Sequence, residues 1–508
     1  MRRDVLVIGG GATGAGVARD LSLRGIDCIL LEMGDYCHGA SGGNHGLLHS
    51  GGRYVMKDRS SASECASENK VLRRIAPFCI EGTDGLFVSV PGDDPGFGDV
   101  FKGSCHAAGV PTAELSLKEA LSLEPGLDPG ITRCFEVEDG SIDPFALVQA
   151  NVDQARENGA TVLNHCRVTG IKVKDGRASD VEYVDERDGQ RHEVSPEIIV
   201  NAAGSWAPTV AGLAGADLKM ALDQGSMLVF DGRCCGRVVN RLRPPSNGDI
   251  AVPNHTSTIL GTTSRSAPSY EGATVSAGDI DLLKKEAAVL LPGLRNARVV
   301  RAYCGVRPLL GGSGGREASR SFSVIRSEDV DNLLSVAGGK LTTYRLMAEK
   351  VSDQVCGMLG NSVNCRTHLE ELSPGAVPVG GSIASTRLVR KYGAKASSIS
   401  TSSPKVICSC EQVLHTEVEH VLQSPDVLTM ADVMRRTRAG MGYCQGLDCS
   451  LAVLDIMVER RHVEAVPTFN DFLDERGRGQ TMASGDQRRQ EMLREHLLSG
   501  VYGLRRKG

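Results

Sequence analysis

The chain has 508 residues, of which 41% are hydrophobic and 23% are charged. This balance is typical of soluble globular proteins and excludes global disorder, and the length predicts about two to four domains. The 57 basic and 62 acidic residues give a net charge of −5, so the composition offers no basic excess that would indicate nucleic-acid binding.

The N-terminus predicts a buried strand rather than a targeting segment. Val5–Ile8 run directly into a glycine cluster, so the preceding Arg2-Arg3 is not interpreted as a twin-arginine signal. The sequence has no uncharged apolar run of about 18 residues, so we expect no transmembrane helix. We therefore expect a cytoplasmic protein with reduced thiols.

The glycine cluster fits the G-x-G-x-x-G pattern of dinucleotide-binding turns, with Gly9, Gly11 and Gly14 at its three glycine positions. Gly9 permits the tight turn, Gly11 lets a pyrophosphate approach the backbone, and Gly14 lets the helix pack closely on the strand. A second apolar strand ends in Glu32, which is spaced correctly to accept a hydrogen bond from a ribose hydroxyl. An ordinary strand–helix–strand unit is the alternative interpretation.

A second small-residue segment follows and includes Ser41, which could lie against a flavin. Soon after it come His49, Arg53 and Tyr54, which supply a proton acceptor, a fixed cation and a hydrogen-bond donor. A surface loop with one solvated arginine would explain Arg53 alone, but it explains the three together less well.

Two later segments favour a flavin over a nicotinamide. The apolar strand ending near Asn201 runs into Ala203 and Gly204, and a later strand runs into a second glycine turn that precedes a helix. That turn supplies further candidate cofactor-binding residues, which are Gly338, Gly339, Lys340, Leu341 and Thr342. Together with the N-terminal turn, these segments resemble the D-amino-acid-oxidase-like FAD superfamily.

Arginines from distant parts of the chain indicate an anionic substrate. Arg53 and Arg307 could each pair with two oxygens of a phosphate or a carboxylate, and Lys340 adds another cation. For Arg307, a structural salt bridge is the alternative.

The stretches around His49–Tyr54, Tyr303–Pro308 and Gly338–Arg345 resemble FAD-dependent glycerol-3-phosphate dehydrogenases, and Asn240–Ser246 and Gly261–Ser264 resemble the anaerobic form. The resemblance covers the whole chain. It implies FAD, glycerol 3-phosphate as substrate, and partner subunits that pass electrons to a membrane quinone. The protein would then be attached peripherally to the inner face of the membrane through those partners, which would be a second subunit of the catalytic complex and an iron–sulfur membrane-anchor subunit.

The resemblance also implies roles for individual residues. Arg53, Arg307 and Lys340 would hold the phosphate, His49 would accept the C2 hydroxyl proton, and Tyr54 would position the hydroxyl end. Aerobic relatives carry a histidine where this chain has Met227, which shifts the role of base to His49, with His255 as a weaker candidate.

Four of the 16 cysteines form two close pairs near the C-terminus, Cys408-x-Cys410 and Cys444-x4-Cys449. Four thiolates can hold zinc or a two-iron two-sulfur cluster. The one-residue spacing is unusual for zinc, and the segment resembles the bacterioferritin-associated-ferredoxin-like domain, which implies a 2Fe-2S cluster.

We therefore expect an α/β protein with a Rossmann-type FAD-binding domain interleaved with a β-rich substrate domain, followed by a small helical cysteine-cluster domain. The expected ranges are FAD-binding segments at about 1–75, 142–225 and 300–365, substrate-domain segments at about 76–141 and 226–299, a linker at 366–405, the cluster domain at 406–460 and a helical tail at 461–508.

Two other functions remain open from the sequence. One is a related FAD dehydrogenase of an amine or a 2-hydroxy acid, in which a carboxylate takes the place of the phosphate. The other is a flavin and iron–sulfur redox carrier without catalysis of its own.

Overall fold

The structure is a computed structural model, and it describes residues 2–311, 321–372, 383–393, 396–400, 405–477 and 496–501. The strands, in chain order, are β1 Arg2–Ile8, β2 Cys28–Leu31, β3 Leu47–Leu48, β4 Ile80–Glu81, β5 Gly85–Ser89, β6 Thr112–Leu115, β7 Arg133–Val137, β8 Gly140–Ile142, β9 Thr161–Leu163, β10 Cys166–Lys174, β11 Arg177–Asp185, β12 Gln190–Asn201, β13 Met220–Phe230, β14 Val238–Arg241, β15 Ile250–Asn254, β16 Ser257–Gly261, β17 Arg265–Ser266, β18 Val299–Leu310, β19 Phe322–Arg326, β20 Leu333–Gly338, β21 Val406–Cys408 and β22 Val413–Leu414.

The helices are α1 Ala12–Leu23, α2 Arg59–Ile75, α3 Phe97–Ala108, α4 Leu117–Leu123, α5 Pro144–Glu157, α6 Ala207–Leu213, α7 Ala277–Leu290, α8 Tyr344–Leu359, α9 Ile383–Tyr392, α10 Ala396–Ser400, α11 His415–Leu422, α12 Met430–Thr437, α13 Cys449–Arg461 and α14 Ala465–Gly477. A π-helical turn spans His496–Val501, and a 3₁₀ turn at Leu341–Thr343 leads into α8. A membrane-spanning helix, which needs about 20 apolar residues, is not found in the part of the chain that the structure describes.

The first sheet is the nucleotide-binding sheet expected from the sequence. Strands β9, β2, β1, β12 and β20 are parallel neighbours, and β19 adds an antiparallel edge. Their residues are buried on both faces, as is typical of parallel strands covered by helices. Helices α1, α5 and α8 pack together on one face, and the carboxyl ends of β1, β12 and β20 meet at one edge.

The second sheet has nine strands and includes the long antiparallel pair β13 and β18. Strand β18 carries Arg307, so this part of the range 300–365 belongs to the second sheet and not, as the sequence suggested, to the FAD-binding region. Helix α7 packs on this sheet through Leu283, Ala287 and Leu290, which are buried in its core. The expected fold class, with interleaved nucleotide-binding and β-rich parts and a C-terminal helical domain, is confirmed.

The C-terminal unit is a small helical domain around one core. Helices α11 to α14 bury Val418, Val433, Val453 and Phe469 together with the first of the predicted cysteines, Cys408. Within the predicted linker, the described residues include α9, whose Arg390 donates to the carbonyl oxygen of Ile80 at 2.6 Å. Residues 366–372, 393, 396–400 and 405 of the predicted linker are described as well, whereas residues 373–382, 394–395 and 401–404 of the linker and residues 478–495 and 502–508 of the predicted tail lie outside the described residues.

Candidate active site and cysteine cluster

A cavity of about 700 Å³ opens between the two sheets, at the carboxyl ends of β1, β12 and β20. This volume is in the range of small-molecule and cofactor sites. Most of the residues proposed from the sequence line it, namely Gly9, Gly11, Glu32, Ser41, His49, Arg53, Tyr54, Ala203, Gly204, Arg307, Gly338, Gly339, Lys340 and Leu341.

The glycine turn joins β1 to α1 with little space to spare. Gly9 has a φ of +111°, and a Cβ there would lie 2.6 Å from the carbonyl oxygen of Ala202. A Cβ on Gly14 would lie 1.9 Å from the carbonyl oxygen of Gly9, so Gly14 packs the helix on the turn behind the cavity wall. At Gly11 the nearest neighbour of a Cβ is Ser41 Oγ at 3.1 Å. Gly11 therefore faces the cavity and leaves room for a pyrophosphate at the N-terminus of α1, so the turn fits FAD.

Glu32 lies at the end of β2 and is buried. Its carboxylate accepts hydrogen bonds from the backbone N–H groups of Gly10 at 2.6 Å and Gly34 at 2.9 Å. Burial raises the pKa of this carboxyl group, and the two backbone donors oppose the rise. The carboxylate is thus held rigidly at the cavity edge, where the spacing predicted a ribose contact.

The second glycine turn closes the far side of the cavity after β20. Gly338 and Gly339 have φ values of +82° and +84°, which side chains rarely adopt. A Cβ on Gly339 would also lie 2.3 Å from Met347 Sδ. Thr342 is buried behind this turn, where its hydroxyl accepts a hydrogen bond from the backbone N–H of His49 at 3.0 Å. It therefore supports the histidine segment and does not line the cavity formed by the described residues.

Arg53 reaches the cavity while paired with Asp249, a fully buried carboxylate that directly precedes β15 of the second sheet. Asp249 also accepts from Arg243 Nε at 2.9 Å. Burial alone would raise the pKa of Asp249, but the charge and hydrogen bond of Arg53 hold that pKa below its ordinary value. The pair therefore keeps the carboxylate ionised and fixes the guanidinium of Arg53 at the cavity wall.

Arg307 is held in the same way by Asp223, which is also fully buried. Its Nη2 donates to Thr262 Oγ1 at 2.6 Å and to the carbonyl oxygen of Thr263 at 3.0 Å. Arg307 therefore forms the structural ion pair that was the alternative interpretation, and it also lines the cavity as proposed. The partners Asp223 and Asp249 were not found from the sequence, because their contacts join positions far apart in the chain.

His49, Tyr54 and Lys340 form one group on the cavity wall. Tyr54 Oη lies 3.4 Å from His49 Nε2, and Lys340 Nζ lies 4.9 Å from the centre of the Tyr54 ring. Burial, followed by the nearby His45, Lys340 and Arg53, lowers the pKa of His49 well below its ordinary value. The imidazole is therefore neutral at physiological pH and able to accept a proton.

His45 is a second cavity histidine that the sequence analysis missed. It is buried, its ring centre lies 6.2 Å from that of His49, and burial together with Arg307 and Arg53 lowers its pKa to about 3. One sequence signal could have identified it, because the dipeptide Asn44-His45 directly follows the small-residue segment. His255, the weaker candidate base, lies elsewhere, with Nδ1 3.4 Å from Glu411 of the C-terminal unit.

The four predicted metal-binding cysteines come together in the C-terminal unit. Cys408 Sγ lies 3.5 Å from Cys410 Sγ, which lies 3.8 Å from Cys444 Sγ, and Cys408 also contacts Cys449. The hydrogen bond from Cys410 lowers the pKa of the Cys444 thiol to about 6, which favours a thiolate at neutral pH. Hydrogen bonds to Cys408 raise the pKa values of Cys410 and Cys449 in the same group. Four sulfur donors within one small core fit a 2Fe-2S cluster.

Arg438 connects the cysteine unit to the two sheets. The arginine is buried and donates to Glu411 at 2.9 Å, to Asp143 at the N-terminus of α5 at 3.1 Å, and to Asn254 on β15 at 3.0 Å. A second contact between the units is formed by Arg436 and Asp35 at 2.8 Å. These buried ion pairs hold the cysteine unit in one position against the rest of the molecule.

Comparison with protein families gives two matches. Residues 4–354 match the family of FAD dependent oxidoreductases, and residues 406–459 match the BFD-like [2Fe-2S] binding domain, which contains all four cysteines. FAD and a 2Fe-2S cluster are therefore the cofactors of this chain.

Curated relatives match nearly the whole chain. An anaerobic glycerol-3-phosphate dehydrogenase subunit of Haemophilus influenzae is 37% identical, with 99% of this chain and 93% of the relative covered. The subunit of the same name from Escherichia coli K12 is 36% identical, with 99% and 97% covered.

Solved structures agree with the fold. The glycerol-3-phosphate dehydrogenase of Bacillus halodurans complexed with FAD superposes with a TM-score of 0.66 at 23% identity, covering 98% of this chain and 95% of the other. Glycine oxidase from Geobacillus kaustophilus superposes with a TM-score of 0.58 at 20% identity, covering 74% of this chain and 99% of the other. At these identities the likeness shows the fold alone.

Proposed function

The chain belongs to the family of FAD-dependent oxidoreductases and carries a BFD-like [2Fe-2S] binding domain, and we propose that it is the catalytic subunit of an anaerobic-type glycerol-3-phosphate dehydrogenase. It oxidises sn-glycerol 3-phosphate to dihydroxyacetone phosphate. The observation that carries the proposal is the pair of arginines, Arg53 and Arg307, fixed by buried carboxylates on the cavity that also contains His49.

The phosphate binds at the cationic part of the cavity. Each arginine is oriented by its aspartate partner, and a guanidinium fork suits pairing with two oxygens of a phosphate. Lys340 supplies a third cation, and its Nζ also donates to Ser61 Oγ at 2.9 Å, which limits its movement. Because these groups are fixed before substrate binds, little ordering is needed on binding.

Oxidation at C2 requires removal of the hydroxyl proton and a hydride. His49 accepts the proton, since its imidazole is neutral and lies on the cavity wall beside Tyr54. Bound FAD supplies the acceptor for the hydride. Tyr54 orients the hydroxyl end, and the cation of Lys340 over its ring holds the tyrosine in place.

The cysteine unit gives the electrons a route out of the protein. Cys408, Cys410, Cys444 and Cys449 hold the cluster, and the buried Arg438 network fixes that unit against the flavin-binding part. The curated relatives are named as one subunit of a larger enzyme, which supports partner subunits. We propose that those partners hold the protein at the inner face of the membrane and pass electrons to a quinone.

The visible spectrum of the purified protein tests this function. Glycerol 3-phosphate added without an acceptor should bleach the visible absorbance band of the oxidised flavin, because the substrate hydride reduces the bound cofactor. A D-amino acid, a 2-hydroxy acid and unphosphorylated glycerol serve as controls. Bleaching by an amino acid or a hydroxy acid instead would identify a related dehydrogenase, and bleaching by none would identify a redox carrier.

A further inference from the structure

His45 lines the same cavity as Arg53 and Arg307, and the roles described above do not use it. The residue is buried, and within the part of the chain that the structure describes its Nδ1 has no hydrogen-bond partner. Buried polar atoms are nearly always paired, so an unpaired nitrogen on a cavity wall points to a ligand that completes it.

The loop that carries His45 is rigid. The Asn44 side chain donates to the carbonyl oxygen of Ser41 at 2.6 Å and accepts from the N–H of Gly46 at 2.7 Å. Tyr303 Oη donates to the carbonyl oxygen of Asn44 at 2.7 Å. Because the backbone is held on both sides of His45, its imidazole cannot easily turn away to find another partner.

The charges that face His45 are mostly cationic. Arg307 and Arg53 both disfavour its protonation, and neutral His49 lies next to it. The carboxylates of Asp223 and Asp249 are engaged with those two arginines. His45 is therefore a neutral imidazole, with one N–H donor and one acceptor nitrogen, at the cationic end of the cavity.

We propose that His45 is a substrate-binding residue that donates a hydrogen bond from Nδ1 to a phosphate oxygen held between Arg53 and Arg307. The proposal rests on the proposed function and adds a specificity element to it. A carboxylate offers two oxygens, which two arginines can satisfy, whereas a phosphate monoester offers three terminal oxygens. A further, uncharged donor beside Arg53, Arg307 and Lys340 favours phosphate over carboxylate, because the three terminal oxygens of a phosphate accept more hydrogen bonds than the two oxygens of a carboxylate. The proton stays on the imidazole throughout.

The test uses the holoenzyme and three variants. His45→Ala removes the donor, His45→Asn keeps an amide N–H near the position of Nδ1, and His106→Ala changes an exposed histidine on α3 as the control. Steady-state kinetics with glycerol 3-phosphate and calorimetric titration with inorganic phosphate are the two readouts. We expect His45→Ala to raise KM and weaken phosphate binding about tenfold or more, with kcat within about twofold. His45→Asn should recover most of both, and His106→Ala should match the wild type.

Three results would overturn the proposal. His45→Ala could retain wild-type KM and phosphate affinity, it could lose flavin, which would assign the residue to the cofactor, or kcat alone could fall. A wild-type enzyme whose flavin is not reduced by glycerol 3-phosphate would contradict the proposed function instead. In that case the calorimetric comparison of wild type and His45→Ala with inorganic phosphate still tests the role of His45.

Discussion

Arg307 on β18 lies directly opposite Asp223 on β13, and its guanidinium forms an ion pair with the buried Asp223 carboxylate. The pairing follows from strand register, because residues opposite each other on antiparallel strands hold their side chains on the same face. Nη2 of the same guanidinium donates to Thr262, so two different groups fix its plane. Arg307 is thus oriented toward the cavity before any substrate binds.

The first prediction separates the charge of Arg307 from its forked geometry. Arg307→Lys keeps a cation beside Asp223 but loses the second pair of donors, so KM for glycerol 3-phosphate should rise by a factor equivalent to about 1.5–3 kcal/mol. Flavin content should be unchanged. The measurement is kcat/KM for glycerol 3-phosphate against unphosphorylated glycerol. An equal loss with both substrates would contradict a role in phosphate recognition.

Candidate site residues could be proposed from the sequence where the whole motif lies within a short segment. Gly9, Gly11 and Glu32 follow from one strand–turn–helix pattern, and the four cysteines follow from their spacing. The partners of the two arginines could not be predicted, since Arg53 and Asp249 are 196 positions apart and meet only when the second sheet forms. The same reason explains why residues 300–310, which the sequence placed in the FAD-binding region, lie in a strand of the second sheet.

The second prediction uses the two glycines on either side of the turn. Gly11→Ala places a methyl group beside Ser41 at the cavity wall, so the protein should fold but bind FAD much more weakly. Gly14→Ala drives a methyl group into the Gly9 carbonyl, so it should lower the thermal midpoint as well. Absorbance gives the flavin content and calorimetry the midpoint. Gly103→Ala, where a Cβ on α3 has open space, is the control. A Gly11→Ala protein with full flavin would refute the assignment of the turn.

The third prediction concerns pH and stability. His45 has a pKa of about 3 in the folded protein and about 6.5 when unfolded, so below pH 6.5 the unfolded state binds the extra proton. The contribution of His45 to the free energy of unfolding is fully present above pH 6.5. It falls as the pH decreases below this value, by up to about 1.4 kcal/mol per pH unit. Between pH 7 and pH 5, His45→Asn should therefore lose less of its thermal midpoint than the wild type. Equal losses would show that His45 does not titrate in this way.

The fourth prediction concerns the contact between the cysteine unit and the sheets. Arg438→Met leaves the carboxylates of Asp143 and Glu411 buried without their cation, which typically costs about 3–5 kcal/mol. The exposed pair of Arg460 with Glu419 is the matched control, because Arg460→Met should cost no more than about 1 kcal/mol. Thermal unfolding of both variants measures the difference. Similar midpoints would mean that the Arg438 network does not stabilise the contact.

The last prediction concerns the cysteine cluster. Cys444→Ala removes a thiol whose lowered pKa favours the metal-binding thiolate, and a methyl group cannot replace that ligand. Iron content should fall to near zero while flavin content stays near that of the wild type, because the cavity lies in the other part of the molecule. Glycerol 3-phosphate should still bleach the flavin in a single turnover, and transfer to a quinone-linked acceptor should slow. Cys234→Ala, which changes a partly buried thiol outside the cluster, should retain iron and full turnover. Loss of zinc rather than iron would contradict the cluster, and unchanged quinone-linked turnover would mean that the cluster stabilises the domain without carrying electrons.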